Sequence, residues 1–207
     1  MRLKLLLVIL GIMLIAVYGT LAVLILAFSD RGAPESTPQE EGSELASTAT
    51  AMNAYPAALS EAQNWQTDAQ LVSVTASWAN VSSETDLIEE APWGFTFFSP
   101  QTRLVAVVSV SAHGAAVAQT SSATAKTRPF EPAAWQVDST DVLKLFLNNG
   151  GRAFVTEHPG ATVSLRGGLE ESGARLVWYA IGLHSGDRAT LVVAIDATSG
   201  DVLSVTP

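Results

Sequence analysis

The sequence predicts an α+β protein: two tandem units, each a helix packed on a three- to four-stranded antiparallel sheet, preceded by one transmembrane helix. Three observations carry that expectation. Leu5 to Phe28 is a charge-free apolar run, several later segments alternate apolar and polar residues with period 2, and Trp93–Ser111 can be laid without a gap over Trp178–Asp196.

Arg2 and Lys4 precede the apolar run. A helix rising about 1.5 Å per residue crosses the hydrocarbon core with roughly 20 apolar residues. Residues 5–28 are therefore expected to span a membrane. Basic residues beside a span tend to stay inside, which places residues 1–4 in the cytoplasm and the rest outside it. A cleaved signal peptide is the competing reading, with Ala27-Phe28-Ser29 as a poor cleavage site. Ala16 and Thr20 give a small-xxx-small spacing that could pack a second helix.

The chain has no cysteine, which excludes disulfides, thiolate chemistry and a lipid anchor on a Cys after the run. Of its 11 basic residues, nine lie beyond the apolar run against all 20 acidic ones, a net charge of about −11 there. Such a surface excludes nucleic acid and anionic lipid head groups as partners. It keeps an exported domain soluble or attracts a basic partner.

Residues 29–51 are rich in Ser, Thr, Pro, Glu and Gly, and so read as a disordered acidic linker with too little to bury. A first module is expected over 52–117, a connection over 118–133 and a second module over 134–207. The first begins with a helix from Pro56 to Trp65, with the proline near its start. Val72, Val74, Ala76 and Trp78 then alternate with polar residues, as in a strand with one buried face. Trp93–Ser99 and Arg103–Ser111 follow as a hairpin.

The second module repeats this order. Ser139 is the expected N-cap, with Asp141 in the first turn. Val142, Leu143, Phe146 and Leu147 form an apolar stripe that Phe154 extends if the helix continues through Gly150-Gly151. Strands are expected over Ala161–Leu165, Leu176–Leu183, Ala189–Ala197 and Val202–Val205, with a tight turn at His184–Asp187. In the gapless comparison Trp93 matches Trp178, Arg103 matches Arg188, and Val107, Val108 and Val110 fall on Val192, Val193 and Ile195. Gly114 corresponds to Gly200 with one residue of slack.

The segment Leu191–Leu203 combines an alternating strand, Asp196, a turn ending in Gly200, then Asp201 and Val202. It resembles the C-terminal signature of PepSY-type domains, small α+β modules of peptidase propeptides and bacterial envelope proteins. The first copy departs from it: Ser111 stands where Asp196 does, and Ala115 replaces the acidic residue after the glycine. The resemblance implies a partner that is a peptidase held inactive or regulated. Read from the residues alone, Asp196, Gly200 and Asp201 are a structural turn, with Asp196 accepting from backbone N–H groups and Gly200 supplying a positive φ.

Motifs for catalysis are scarce. His113, His158 and His184 are each expected in a turn or loop and each without a nearby Cys, His or carboxylate at metal-ligand spacing, so no metal and no cofactor are expected. There is no G-x-S-x-G elbow. Glu89-Glu90 and Glu170-Glu171 read as solvated loop charges, and Arg166-Gly167-Gly168 and Asn149-Gly150-Gly151 lack the Lys-Ser/Thr ending of a phosphate loop. Asn80-Val81-Ser82 is a glycosylation sequon, relevant only to a eukaryotic secretory host.

Among the five tryptophans, Trp93 and Trp178 occupy equivalent strand positions. They read as core, or, exposed with His184, as partner contacts. The expected function is that of a membrane-tethered, extracytoplasmic, non-enzymatic protein-binding module in the cell envelope. A scaffold subunit of a membrane complex is the alternative, and a hydrolase with a noncontiguous site that depends on His184 is a third reading.

Overall fold

A computed structural model describes residues 50–87, 91–125 and 127–207. The helix expected over 5–28, the tail before it, the Ala16/Thr20 pair, the linker up to residue 49, and Glu89-Glu90 lie outside the described residues. Among the described residues no helix is long and apolar enough to cross a membrane, so the fold they make includes no transmembrane helix.

The chain begins with helix α1 (Ala51–Trp65) and strand β1 (Gln70–Val81), then β2 (Trp93–Ser99), β3 (Leu104–Ser111) and β4 (Gly114–Ser122). The second half holds α2 (Ser139–Phe146), α3 (Arg152–Glu157), β5 (Ala161–Leu169), β6 (Leu176–His184), β7 (Ala189–Asp196) and β8 (Val202–Thr206). All eight strands form one sheet in the order β4-β3-β2-β1-β5-β6-β7-β8, and every neighbouring pair is antiparallel.

This corrects the expectation of two tandem units with separate sheets. Each half is a four-stranded meander, but β1 and β5 pair along their length, from Ser73 opposite Gly168 to Trp78 opposite Val163. Joining the halves removes two internal sheet edges whose backbone groups would otherwise need water or another chain. It also lets one core serve both halves: Val108, Phe95, Val74, Gly167, Trp178 and Ile195 form a cross-strand row on a single face. Directly paired residues share a face, so the helices of both halves cover the same side.

The element correspondence between the halves extends to backbone detail. Trp93 pairs with Val110 as Trp178 pairs with Ile195. Arg103 and Arg188, matched in sequence, both adopt left-handed backbone, with φ of 55° and 62°. Strand β4 runs to Ser122, so the stretch from Ala118 onward begins inside the sheet; its Ser/Thr/Ala composition suits an exposed edge strand, where little is buried.

Helix α1 starts at Ala51, just after the N-cap Thr50, making Pro56 its sixth residue rather than a near-terminal one. It buries a stripe of Ala51, Ala54, Ala58 and Ala62. These small side chains let the helix settle close over a sheet whose own residues there, Trp93, Phe95 and Phe97, are large. Asp138, not Ser139, is the N-cap of α2. Ser139 instead accepts from the Ala51 N–H at 3.0 Å and Asp138 from the Met52 N–H at 3.1 Å, so the start of α2 caps the start of α1. The helix does not run unbroken to Phe154: Asn149 (φ −110°) and Gly150 (φ 104°) leave helical backbone, and this kink separates α2 from α3, which carries Phe154.

In β1 the alternation changes phase. Leu71 is buried and Val72 only half-buried, because a bulge between Leu71 and Ser73 shifts the register; Val74, Ala76 and Trp78 then face the core. Three aspartates clip the turns. The Gln101 N–H and the Ser99 hydroxyl donate to Asp68 at 2.8 and 2.7 Å, Ser82 and Ser83 N–H groups to Asp86 at 2.8 and 2.9 Å, and Thr198 and Ser199 N–H groups to Asp196 at 2.8 and 3.1 Å.

Backbone donors hold all three carboxyls below the ordinary value of 3.8. A depressed folded value gives stability that is complete above 3.8 and is lost as pH falls through the folded value. The thermal midpoint is expected to stay level from neutral pH down to about 5 and to fall below about 4. In an Asp68→Asn/Asp196→Asn variant that acid-side fall should be shallower. A midpoint that drops as steeply in the variant would show that other groups govern the acid limit.

Candidate functional site

With the helices on one face, the other face of the sheet is left open. A cleft of about 450 Å³ lies on it, bordered by Val72, Arg128, Arg166, Glu170, Tyr179 and Ile181 among others. Its position follows from register: Arg166 on β5 sits between Thr75 on β1 and Tyr179 on β6. Val72, Tyr179 and Ile181 are half-buried and give an apolar floor, while Arg166 is exposed. The Arg128 guanidinium donates to the Glu171 carbonyl at 3.1 Å, which holds one wall in place. Arg166 makes no ion pair or hydrogen bond through its side chain among the described residues. A cationic group over an apolar floor, in a cleft of this size, suits a ligand with an anionic group on an apolar or aromatic body.

A second constellation lies at the far end of the same half. His158 is the C-cap of α3, His184 the last residue of β6 and Asp187 part of the turn into β7. His158 Nδ1 lies 2.9 Å from one Asp187 carboxylate oxygen and His184 Nδ1 lies 2.8 Å from the other. The imidazole centroids are 5.5 Å apart, and Phe154 packs on His158 at 4.8 Å. The carboxyl of Asp187 is pushed down to about 2, first by the hydrogen bond from His184, then by the Ala189 N–H, with the two imidazoles adding charge attraction. His184 and Asp187 are three residues apart in sequence, but His158 reaches them only through the pairing of β5 with β6. Sequence spacing could show the first relation and not the second.

The remaining sequence candidates fall elsewhere. Trp93 and Trp178 are each 1% exposed and belong to the core, so neither reaches a partner. Of the three residues marked as possible contacts, His184 alone is at the surface. Asp196, Gly200 and Asp201 form the β7–β8 turn: Gly200 has a φ of 82° and its N–H donates to the Asp196 carbonyl at 2.9 Å, while the Ser199 hydroxyl donates to Asp201 at 2.7 Å. His113 is exposed in the β3–β4 turn, and Asn80 is an exposed left-handed residue near the end of β1. Glu170 and Glu171 border the cleft.

No protein-family model and no curated protein matches the chain. Among solved structures, a protein of Clostridium difficile 630 described as a lipoprotein aligns over 73% of this chain and 91% of its own, at 12% identity and a TM-score of 0.43. A likeness this slight bears on neither fold nor function. The PepSY-type resemblance is likewise without support, and a continuous eight-stranded sheet replaces the separate modules it implied.

Proposed function

We propose that this protein is an extracytoplasmic, non-catalytic module that binds another envelope protein through the open face of its sheet. The occupant is an extended segment of that partner carrying a carboxylate, laid across β1, β5 and β6 with the acidic group on Arg166. The observation that carries this reading is the cleft itself: an apolar floor with an exposed guanidinium that makes no ion pair with the described residues, the rim carboxylates Glu170 and Glu171 included. In a chain of net charge −9, an uncompensated cation at the centre of a face is a local complement for an acidic group, and such charge pairs set specificity more than bulk attraction does. Export is supported by the basic residues and apolar run at the N-terminus, and the absence of catalysis by the lack of Cys and of a nucleophile elbow. The partner is defined by this chemistry, not by a class of enzyme.

The full chain, carrying a photo-crosslinker in place of Tyr179, is used to capture partners from solubilised envelopes. The expected result is one protein crosslinked at the cleft, whose affinity falls at least about tenfold with Arg166→Glu. Lys144→Glu, on the helix side, should leave it unchanged. Capture insensitive to Arg166→Glu, or no crosslink from the cleft, overturns the docking site. A stoichiometric partner retained after deletion of residues 52–207 would favour the scaffold reading.

A further inference from the structure

We propose that His158, His184 and Asp187 form a binding site for one divalent transition-metal ion, with zinc as the best chemical match. Two imidazoles and a carboxylate each offer a ligand atom, and the three atoms lie within 4.8 Å of one another. Ligands bonded to zinc at about 2.0–2.2 Å in a tetrahedron stand roughly 3.4 Å apart, so the cluster needs little rearrangement to close on an ion. Two nitrogens and one oxygen suit zinc and its first-row neighbours and are poor for calcium or magnesium, which take oxygen. Three protein ligands leave a fourth position for water or a group from a partner.

The surroundings look built for these three side chains. The Phe154 ring that packs on His158 would collide with any side chain at Gly182, since a Cβ there would lie 2.6 Å from it. A Cβ at Gly186 would lie 2.8 Å from His184 Cε1, so the turn residue is small where the imidazole stands. The Ala189 N–H donates at 3.0 Å to Asp187 Oδ1, the oxygen that also meets His184, an outer contact of the kind that orients metal ligands. Bound metal would tie the end of α3 to the β6–β7 turn, a cross-link that a cysteine-free chain cannot make with a disulfide.

The test uses the full chain, stripped of metal with a chelator and titrated with zinc chloride by calorimetry and with cobalt(II) by visible absorption. One ion per chain, with Kd of order micromolar, and the d–d bands of low-coordinate cobalt are expected. At a hundredfold excess over Kd the melting midpoint should rise by about 5–10 °C. His184→Gln and Asp187→Asn should each weaken binding at least tenfold, with His113→Gln as the unchanged control. Their melting curves in chelator should match the wild type, which separates lost ligation from lost folding. The proposal is overturned if zinc does not bind saturably at 100-fold above micromolar concentration, or if binding persists undiminished in a His158→Gln/His184→Gln double variant.

Discussion

Trp178→Ala is expected to destabilise the chain by about 3–5 kcal/mol, the range for truncating a buried indole. Trp178 is 1% exposed, between Gly167 and Ile195 in the cross-strand row, and its ring lies over Gly167, where a Cβ would stand 3.1 Å from the indole carbons. Its Nε1 donates to the Val137 carbonyl at 2.9 Å, and Trp135 Nε1 donates to the same oxygen at 2.9 Å. The two rings meet at 5.8 Å and 63°, an edge-to-face geometry. One oxygen thus ties two indoles to the segment leading into α2. Loss of Trp178 leaves Val137 one donor, so the cost comes mainly from the cavity and lost apolar burial. A chain of this size should lose roughly 10 °C in melting midpoint, with Trp178→Phe falling between. A shift under about 3 °C would show that the site collapses around the smaller residue and that the shared row is not a structural centre.

The second large effect is expected from Gly151→Ala. The added Cβ would lie 2.5 Å from Phe146 Cδ1 and Cε1 and 2.7 Å from the Phe146 carbonyl oxygen. Phe146 is fully buried, and a backbone oxygen cannot swing aside, so the kink joining α2 to α3 must open or shift. Overpacking of this kind costs about 1–3 kcal/mol. Gly114→Ala provides the contrast: its φ of 111° strains an L-residue, but nothing lies within 4 Å of the new Cβ. The two variants compared by denaturant midpoint separate collision from backbone strain, and equal losses would remove the packing argument for Gly151.

Most strands were legible because one buried face imposes a period of 2, as in Val163-Ser164-Leu165 and Val108-Val110. The alternation could not show where its phase breaks, and the bulge after Leu71 reassigned Val72 from core to half-buried. Ser139 was legible as a cap but not as the cap of a helix 88 residues away. For the cleft, the sequence offered Arg166 only as part of a failed phosphate motif. Its placement between Thr75 and Tyr179 exists only after β1 and β5 pair.

Local patterning by itself determined most of the strands, the matched hairpins with Arg103 aligned to Arg188, the cysteine-free apolar core and the acidic balance, since each depends on neighbours within a few residues; it did not show strand β4, whose Ser/Thr/Ala composition carries little apolar alternation. The tertiary structure alone decided that the two halves share one sheet and one core, that one face stays open around Arg166, and that His158 meets His184 and Asp187. Those outcomes depend on pairing between segments about 80–95 residues apart for the sheet, and on the pairing of β5 with β6 for the histidines. Sequence periodicity carries no information about which edge of a strand finds which partner.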